Sequence, residues 1–253
     1  MNFENKVVLI TGASSGMGRG IAVELAKKKC KLALAARRMN YLEELKSELN
    51  LPEEEIIILK CDVKNKNDVE AAYKMIIQKF GGIDVAILNA GSGRAMNILE
   101  YDSEYADEII GANFFGIIYW VEQLLPDFIK NKKGIIAGMS SLADNRGYSG
   151  SGFYCASKAA ATFYLEGLRI EAKPYGIKII TLRPGFVKTP LTDKNKFQMP
   201  FIMPVDKAVK KIVRGIEKEK RVIQFPWTIL FLTNIIGLLP GRLYEWLAAK
   251  IKL

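Results

Sequence analysis

A doubly wound α/β domain, a parallel sheet with helices on both faces, is the fold class this sequence predicts. Three observations point to it. Short apolar runs alternate with amphipathic stretches from Lys6 to Lys220, and no hairpin signal joins neighbouring runs. The first run passes directly into a glycine-rich turn, Thr11 to Gly18, reading TGASSGMG. A chain of 253 residues, 49% hydrophobic and 25% charged, has the size and composition of one globular domain rather than a disordered or polytopic membrane chain.

Taken in order, Lys6 to Thr11 reads as the first strand. Met17 to Lys29 follows as a helix, with Ile21, Ala22, Leu25 and Ala26 sharing one face. Lys31 to Ala36 is the second strand and Tyr41 to Leu49 the second helix. Glu55 to Cys61 and Asn67 to Phe80 repeat the pair. A fourth strand, Val85 to Asn89, closes on Ala90 and Gly91. Two long helices, about Ser103 to Lys130 and Gly152 to Lys173, bracket a strand from Gly134 to Met139. Ile177 to Leu182 is the last predicted strand, ending at Arg183, Pro184 and Gly185, and a helix runs from Asp206 to Lys218. The expected organisation is a catalytic domain over 1–221 and an apolar, basic extension over 222–253.

Composition removes several chemistries. Histidine is absent, so no Ser-His-Asp or Cys-His nucleophile and no His-ligated metal site can be built. Acid–base work falls to Tyr, Lys, Asp, Glu or Cys. Cys30, Cys61 and Cys155 are far apart and lack CxxC spacing, which suits a reducing, cytoplasmic setting. The net charge of +10 invites anionic partners, and from Pro204 onward ten Lys and Arg face four Asp and Glu. No helix-turn-helix or RNA-binding aromatic signature accompanies the charge, so nucleic acid is not expected.

The glycine-rich turn stands where a strand hands over to a helix, as a dinucleotide phosphate site requires. Gly12 allows the tight turn, Gly16 the approach of a pyrophosphate to the backbone, and Gly18 close helix packing. Ser14, Ser15 and Met17 complete the loop, and the helix N-terminus offers free N–H groups to phosphate. This makes the predicted sheet a Rossmann-type one. About 20 positions downstream, where an acidic residue would hold the ribose 2′-hydroxyl of NAD, stand Ala36, Arg37 and Arg38. Two guanidiniums and no carboxylate favour NADP. Further along, Tyr154 and Lys158 lie four residues apart, on one helix face. The ammonium is expected to lower the phenol pKa from its usual value of about 10.

Together these motifs resemble the short-chain dehydrogenase/reductase family from about Lys6 to Lys220. TGASSGMG matches TGxxxGxG, Asp62-Val63 the acidic pair bordering the adenine, and Asn89-Ala90-Gly91 the NAG turn. Asn113 matches the catalytic asparagine, Ser141 the catalytic serine thirteen residues before Tyr154, and YCASK the YxxxK motif. Pro184-Gly185 opens the segment whose Val187 and Thr189 contact the nicotinamide in that family. The resemblance implies an NADP(H)-dependent oxidoreductase acting on a carbonyl or secondary alcohol. Tyr154 would be general acid and base, and Ser141 would bond the substrate oxygen. Lys158 would bind the nicotinamide ribose and depress the Tyr154 pKa, and Asn113 would hold a water relaying protons through Lys158. No metal is implied, and a homodimer or homotetramer built on the two long helices is. A non-catalytic NADP-binding or membrane-associated interaction protein on the same scaffold is the alternative, against which the complete set of four residues speaks.

Two segments carry no readable code. Leu191 to Met203 and the extension are expected to shape the substrate pocket, and Arg94 is either an anchor for an acidic substrate group or a solvent-facing loop residue. In the extension, Trp227 to Leu239 has no charge over thirteen residues, about 20 Å as a helix, too short for a bilayer core of about 30 Å. It can be a lid over the pocket, a subunit interface or a peripheral membrane contact. A lid would imply an apolar or lipid-like substrate.

Overall fold

The computed structural model describes residues 1–194 and 199–250. Seven strands form one parallel sheet: β1 (Val7–Thr11), β2 (Lys31–Ala36), β3 (Ile56–Lys60), β4 (Val85–Leu88), β5 (Gly134–Met139), β6 (Ile177–Pro184) and β7 (Val222–Phe225). Their spatial order is β3-β2-β1-β4-β5-β6-β7, so the chain reverses direction across the sheet between β1 and β4. That switch point leaves a crevice at the carboxyl ends of the strands, where α/β sheets bind ligands.

The period-2 alternation of each strand divides the core in two. Val8 and Ile10 of β1 join Ile21 and Leu25 of α1 (Gly16–Ala26), Leu42 and Leu45 of α2 (Met39–Leu49), and Ile212 and Ile216 of α7 (Val205–Glu217). Val7 and Leu9 point the other way, toward α3 (Lys66–Phe80), α5 (Gly116–Asn131) and α6 (Gly152–Ala172). Helices thus cover both faces, as the near-continuous apolar strands require.

Two elements differ from the sequence expectation. The single helix expected over Ser103 to Lys130 is α4 (Glu104–Ile110), a π-helical turn (Gly111–Phe115) and α5. Glycines at both ends of the turn let this run cross the loop after β3 closely: a Cβ on Gly116 would lie 2.8 Å from the Val63 side chain, and one on Gly111 would lie 3.0 Å from Lys64. By length and composition Glu104–Asn131 is apolar enough to cross a membrane. Its Ile117, Trp120, Leu124 and Phe128, however, are spent against the sheet.

The second difference is β7, which opens the predicted extension. Val222 and Gln224 are exposed while Ile223 and Phe225 are buried, and the strand pairs with β6 from Thr181↔Val222 to Pro184↔Phe225. The sequence hides this alternation, because exposed Val222 is itself apolar and VIQF reads as a mostly apolar run. Beyond it lie α8 (Trp227–Leu238) and α9 (Gly241–Lys250).

Candidate active site

The crevice at the switch point is an open cleft with an empty volume, mouth included, of about 1270 Å³. It brings together every predicted site residue except Gly18. That glycine lies beneath the cleft floor, where a Cβ would collide with the Gly12 carbonyl and sit 2.6 Å from the Asn89 amide. Gly12 (φ +67°) and Gly16 (φ +56°) occupy the left-handed region, which a side chain disfavours. The loop between them leads straight into α1, whose first N–H groups face the cleft. Asn89 Nδ2 donates to the Thr11 carbonyl (3.0 Å) and the Ala90 N–H to Thr11 Oγ1 (3.0 Å), so the ends of β1 and β4 are pinned together under the loop.

At the end of β2, Arg38 Nη2 donates to Ser14 Oγ (3.0 Å) and Ser15 Oγ (2.8 Å). Its guanidinium lies over the Tyr41 ring, 4.6 Å from the centroid. Arg37 lines the cleft beside it, exposed. Across the crevice Asp62 and Val63 form the wall after β3, and the Asp62 N–H donates to Asp68 Oδ2 (3.0 Å). A small-residue floor, a helix N-terminus and a cationic far end match a dinucleotide in shape and charge.

The opposite end of the cleft holds Asn113, Ser141, Tyr154 and Lys158. Ser141 follows β5, and its Oγ accepts the Ala143 N–H (3.1 Å). Tyr154 and Lys158 stand one turn apart on α6. Burial raises the Tyr154 pKa, and a hydrogen bond with the Ser141 hydroxyl works against that rise. Lys158 is buried and pushed down to about 8 by desolvation. Its Nζ donates to the Met139 carbonyl (2.9 Å) and lies 5.7 Å from the Tyr154 ring centroid. In this arrangement the Lys158 ammonium is turned to a carbonyl of β5, and Ser141 is the group opposing the rise of the Tyr154 pKa.

Asn113 sits on the π-helical turn. Nδ2 donates to the Ser92 carbonyl (2.9 Å) and Ser157 Oγ (2.8 Å), while Oδ1 accepts the Ser92 N–H (2.8 Å). Both amide protons are engaged, so a water held by this residue must be bound through an oxygen. Ser92 and Glu108 also line the cleft, joined by a 2.8 Å bond from Ser92 Oγ to Glu108 Oε1. The sequence reading missed both; Ser92 directly follows the NAG turn, whereas nothing marks Glu108 among the other acids of its helix. Leu191 and Thr192 line the mouth, and residues 195–198 of the loop expected to shape the pocket lie outside the described residues. Arg94 is exposed, its guanidinium 4.2 Å from the Tyr105 ring centroid.

Ser140, beside Ser141, is tied into the protein by its own hydrogen bonds. Its Oγ donates to the Lys158 carbonyl (2.9 Å) and joins Thr162 and Asp144. Asp144, with a side chain 1% exposed, receives Arg183 Nε (2.7 Å), Arg183 Nη2 (2.5 Å) and Thr162 Oγ1 (2.6 Å). This ion pair braces the segment that carries Ser141.

A family model described as short chain dehydrogenase matches residues 6–199. The chain belongs to the short-chain dehydrogenase/reductase family. An uncharacterized oxidoreductase of Myxococcus xanthus is 32% identical to this dehydrogenase/reductase over 247 residues, covering 98% of both chains. A short-chain dehydrogenase of Sphingobium yanoikuyae, solved in complex with NADPH, aligns with a TM-score of 0.79 at 25% identity over 93% of this chain and 97% of that one. One from Burkholderia phymatum, solved with NAD, aligns with a TM-score of 0.85 at 24% identity over 92% and 93% of the two chains. The fold thus accommodates either nicotinamide dinucleotide, and this member is an oxidoreductase of that family.

Proposed function

We propose that this chain is an NADP(H)-dependent oxidoreductase that interconverts the carbonyl and secondary alcohol of an apolar small molecule, with Tyr154 as general acid and base. The observation that carries the reaction is the meeting of the Ser141 and Tyr154 hydroxyls beside buried Lys158 at one end of the cleft. When bound, the reduced dinucleotide supplies the hydride. Gly12, Ser14, Ser15, Gly16, Met17, Asn89, Ala90 and Gly91 would hold its phosphates and ribose, Asp62 and Val63 its adenine, and Pro184, Gly185, Val187 and Thr189 its nicotinamide. In carbonyl reduction Ser141 Oγ donates a hydrogen bond to the substrate oxygen and steadies the charge that develops there. Tyr154 Oη delivers its proton to the same oxygen, and the hydroxyl forms as the carbonyl carbon accepts the hydride. Burial keeps the Tyr154 phenol protonated at neutral pH, and the Ser141 hydrogen bond, which opposes the rise in its pKa, favours release of that proton. A non-catalytic binder on this scaffold would have no use for the paired hydroxyls.

The NADP preference rests on Arg38, held on Ser14 and Ser15, and Arg37 beside it, with Ala36 where a carboxylate would stand. The apolar substrate rests on Leu191 at the mouth and on exposed Phe201 and Ile202 in the following loop. Cys30, Cys61 and Cys155 are free and buried thiols, which fits a cytoplasmic protein. Phe163 and Ile170, exposed on α6, support a homo-oligomer.

Fluorescence titration of the purified protein with NADPH and NADH tests the cofactor. NADPH is expected to bind at least about tenfold tighter, a preference that Arg37→Asp reverses or removes. Equal affinities in the parent would defeat it. Tyr154→Phe tests the chemistry: NADPH affinity stays, and turnover of an apolar ketone falls by about a thousandfold or more. Undiminished turnover would remove Tyr154 from the reaction.

A further inference from the structure

Outside the cleft, α8 and α9 present an apolar surface that none of the described residues covers. α8 has no charged residue over its twelve positions. Its packed side is Ile229 and Thr233, and its outward side is Trp227, Phe231, Leu232, Ile235 and Leu238, interrupted by Asn234 alone. Trp227 is 76% exposed and Leu238 86%. A helix apolar all round is normally enclosed by protein or lipid. α9 adds Leu243, Trp246 and Leu247 at helical spacing, all exposed, and Lys250 Nζ lies 3.5 Å from the Trp246 ring centroid.

The pair is firmly held. Asn145 Nδ2 donates to the Thr233 carbonyl (2.6 Å), Arg146 Nη2 to the carbonyls of Gly237 (3.0 Å) and Leu239, and Tyr244 Oη to the Gly147 carbonyl (2.5 Å). These anchors lie on the segment between Ser141 and Tyr154, and α8 leaves the sheet at the carboxyl end of β7, the edge where the cleft opens. The surface therefore has a fixed attitude to the site.

We infer that the α8–α9 surface seats this protein on an anionic lipid bilayer, with the mouth of the cleft on the lipid side. Tryptophans beside Arg242 and Lys250, with Glu245 the one acid of the two helices, form the aromatic and cationic pattern of a membrane interface. Twelve residues rise about 18 Å, too little to cross a core of about 30 Å, so α8 lies in the plane of the surface. A second copy is a poorer occupant, because it would set Arg242 and Lys250 of one surface against the same cations of the other, whereas an anionic bilayer complements them. Docking itself is independent of the oxidoreductase reading; only delivery of a lipid-borne substrate to Tyr154 rests on it.

Co-sedimentation of the full chain with vesicles of phosphatidylcholine, alone or mixed with phosphatidylglycerol, tests the inference. Binding is expected to the anionic vesicles, with a blue shift of tryptophan emission and weakening as salt rises. Trp227→Ser with Leu238→Ser is expected to cut binding about tenfold or more while NADPH titrates as in the parent. Trp246→Ser alone should give a smaller loss in the same direction, should the double variant fold poorly. Vesicle binding equal in parent and variants would overturn the inference. So would failure to bind vesicles joined to a concentration-dependent dimer that the variants lose. NADPH affinity, read separately, reports on the oxidoreductase reading alone.

Discussion

Lys158 is the residue whose behaviour the sequence reveals least. Its place four residues after Tyr154 predicts an ammonium on the phenol's side of the helix, and that neighbour relation holds. What the spacing cannot convey is depth: desolvation, not the partner, governs both groups, raising the Tyr154 pKa and lowering that of Lys158 to about 8. The consequence for stability has a definite sign. Below pH 8 Lys158 is protonated in folded and unfolded chains alike, and the cost of burying the charge is fully present. As pH climbs from about 8 toward 10.5, the folded protein loses the proton first, the unfolded chain binds more protons, and stability from this group rises. Lys158→Met removes the titration. Its advantage or deficit relative to the parent should shift in the parent's favour between about pH 7 and about pH 10, by at most about 3 kcal/mol. Denaturant unfolding at both values measures it, and a difference unchanged with pH would show that Lys158 is no buried ammonium.

The glycine loop, the strands that end in Leu88 and Met139, and the α6 pair were all legible because each combines a period with a marked residue type. Asp144 and Arg183 were not, since a carboxylate and a guanidinium 39 positions apart leave no local pattern. Yet this pair links three elements: Asp144 on the segment after β5, Thr162 on α6 and Arg183 on β6, whose Nη1 also donates to Gln224 Oε1 of β7 (3.1 Å). The same long-range dependence hid the π-helical turn and β7, which exist because of the loop after β3 and the edge of β6 rather than any propensity of their own. Removing one partner of a buried pair strands the other. Asp144→Ala is expected to cost about 3–5 kcal/mol, or roughly 6–20 °C in Tm for a chain of this size. Adding Arg183→Ala should return part of that loss, because no unpaired guanidinium then remains. Thermal melts of the two singles and the double close the cycle. Additive losses would mean that the two residues act separately, and that the bidentate contact does not brace the Ser141 segment.

At the scale of the whole molecule, several of the exposed apolar side chains fall into groups. One group is the α8–α9 surface; another lies on α6, where Phe163 (70% exposed) and Ile170 (73% exposed) stand two turns apart with Gly167 between them. A Cβ on Gly167 would meet nothing within 4 Å, so the strip is open, and the missing side chain leaves room for a second helix to approach. Phe115, exposed at the start of the neighbouring helix, stacks on Tyr119 with ring centroids 6.1 Å apart and adds an aromatic edge. Isolated exposed apolar residues need no explanation, whereas a contiguous strip on a charged protein marks an interface. Facing its own copy antiparallel, the strip would meet Ile170 with Phe163, the self-complementary arrangement of a two-fold axis. Phe163→Glu would then place two carboxylates in the buried contact, and Gly167→Val would hold the helices apart. Both are expected to turn a dimer or tetramer into a monomer in sedimentation velocity, with NADPH affinity close to the parent's because Phe163 and Gly167 do not line the cleft. An oligomer that survives both changes would move the subunit contact elsewhere, and the α8–α9 surface would then be the next apolar face to test.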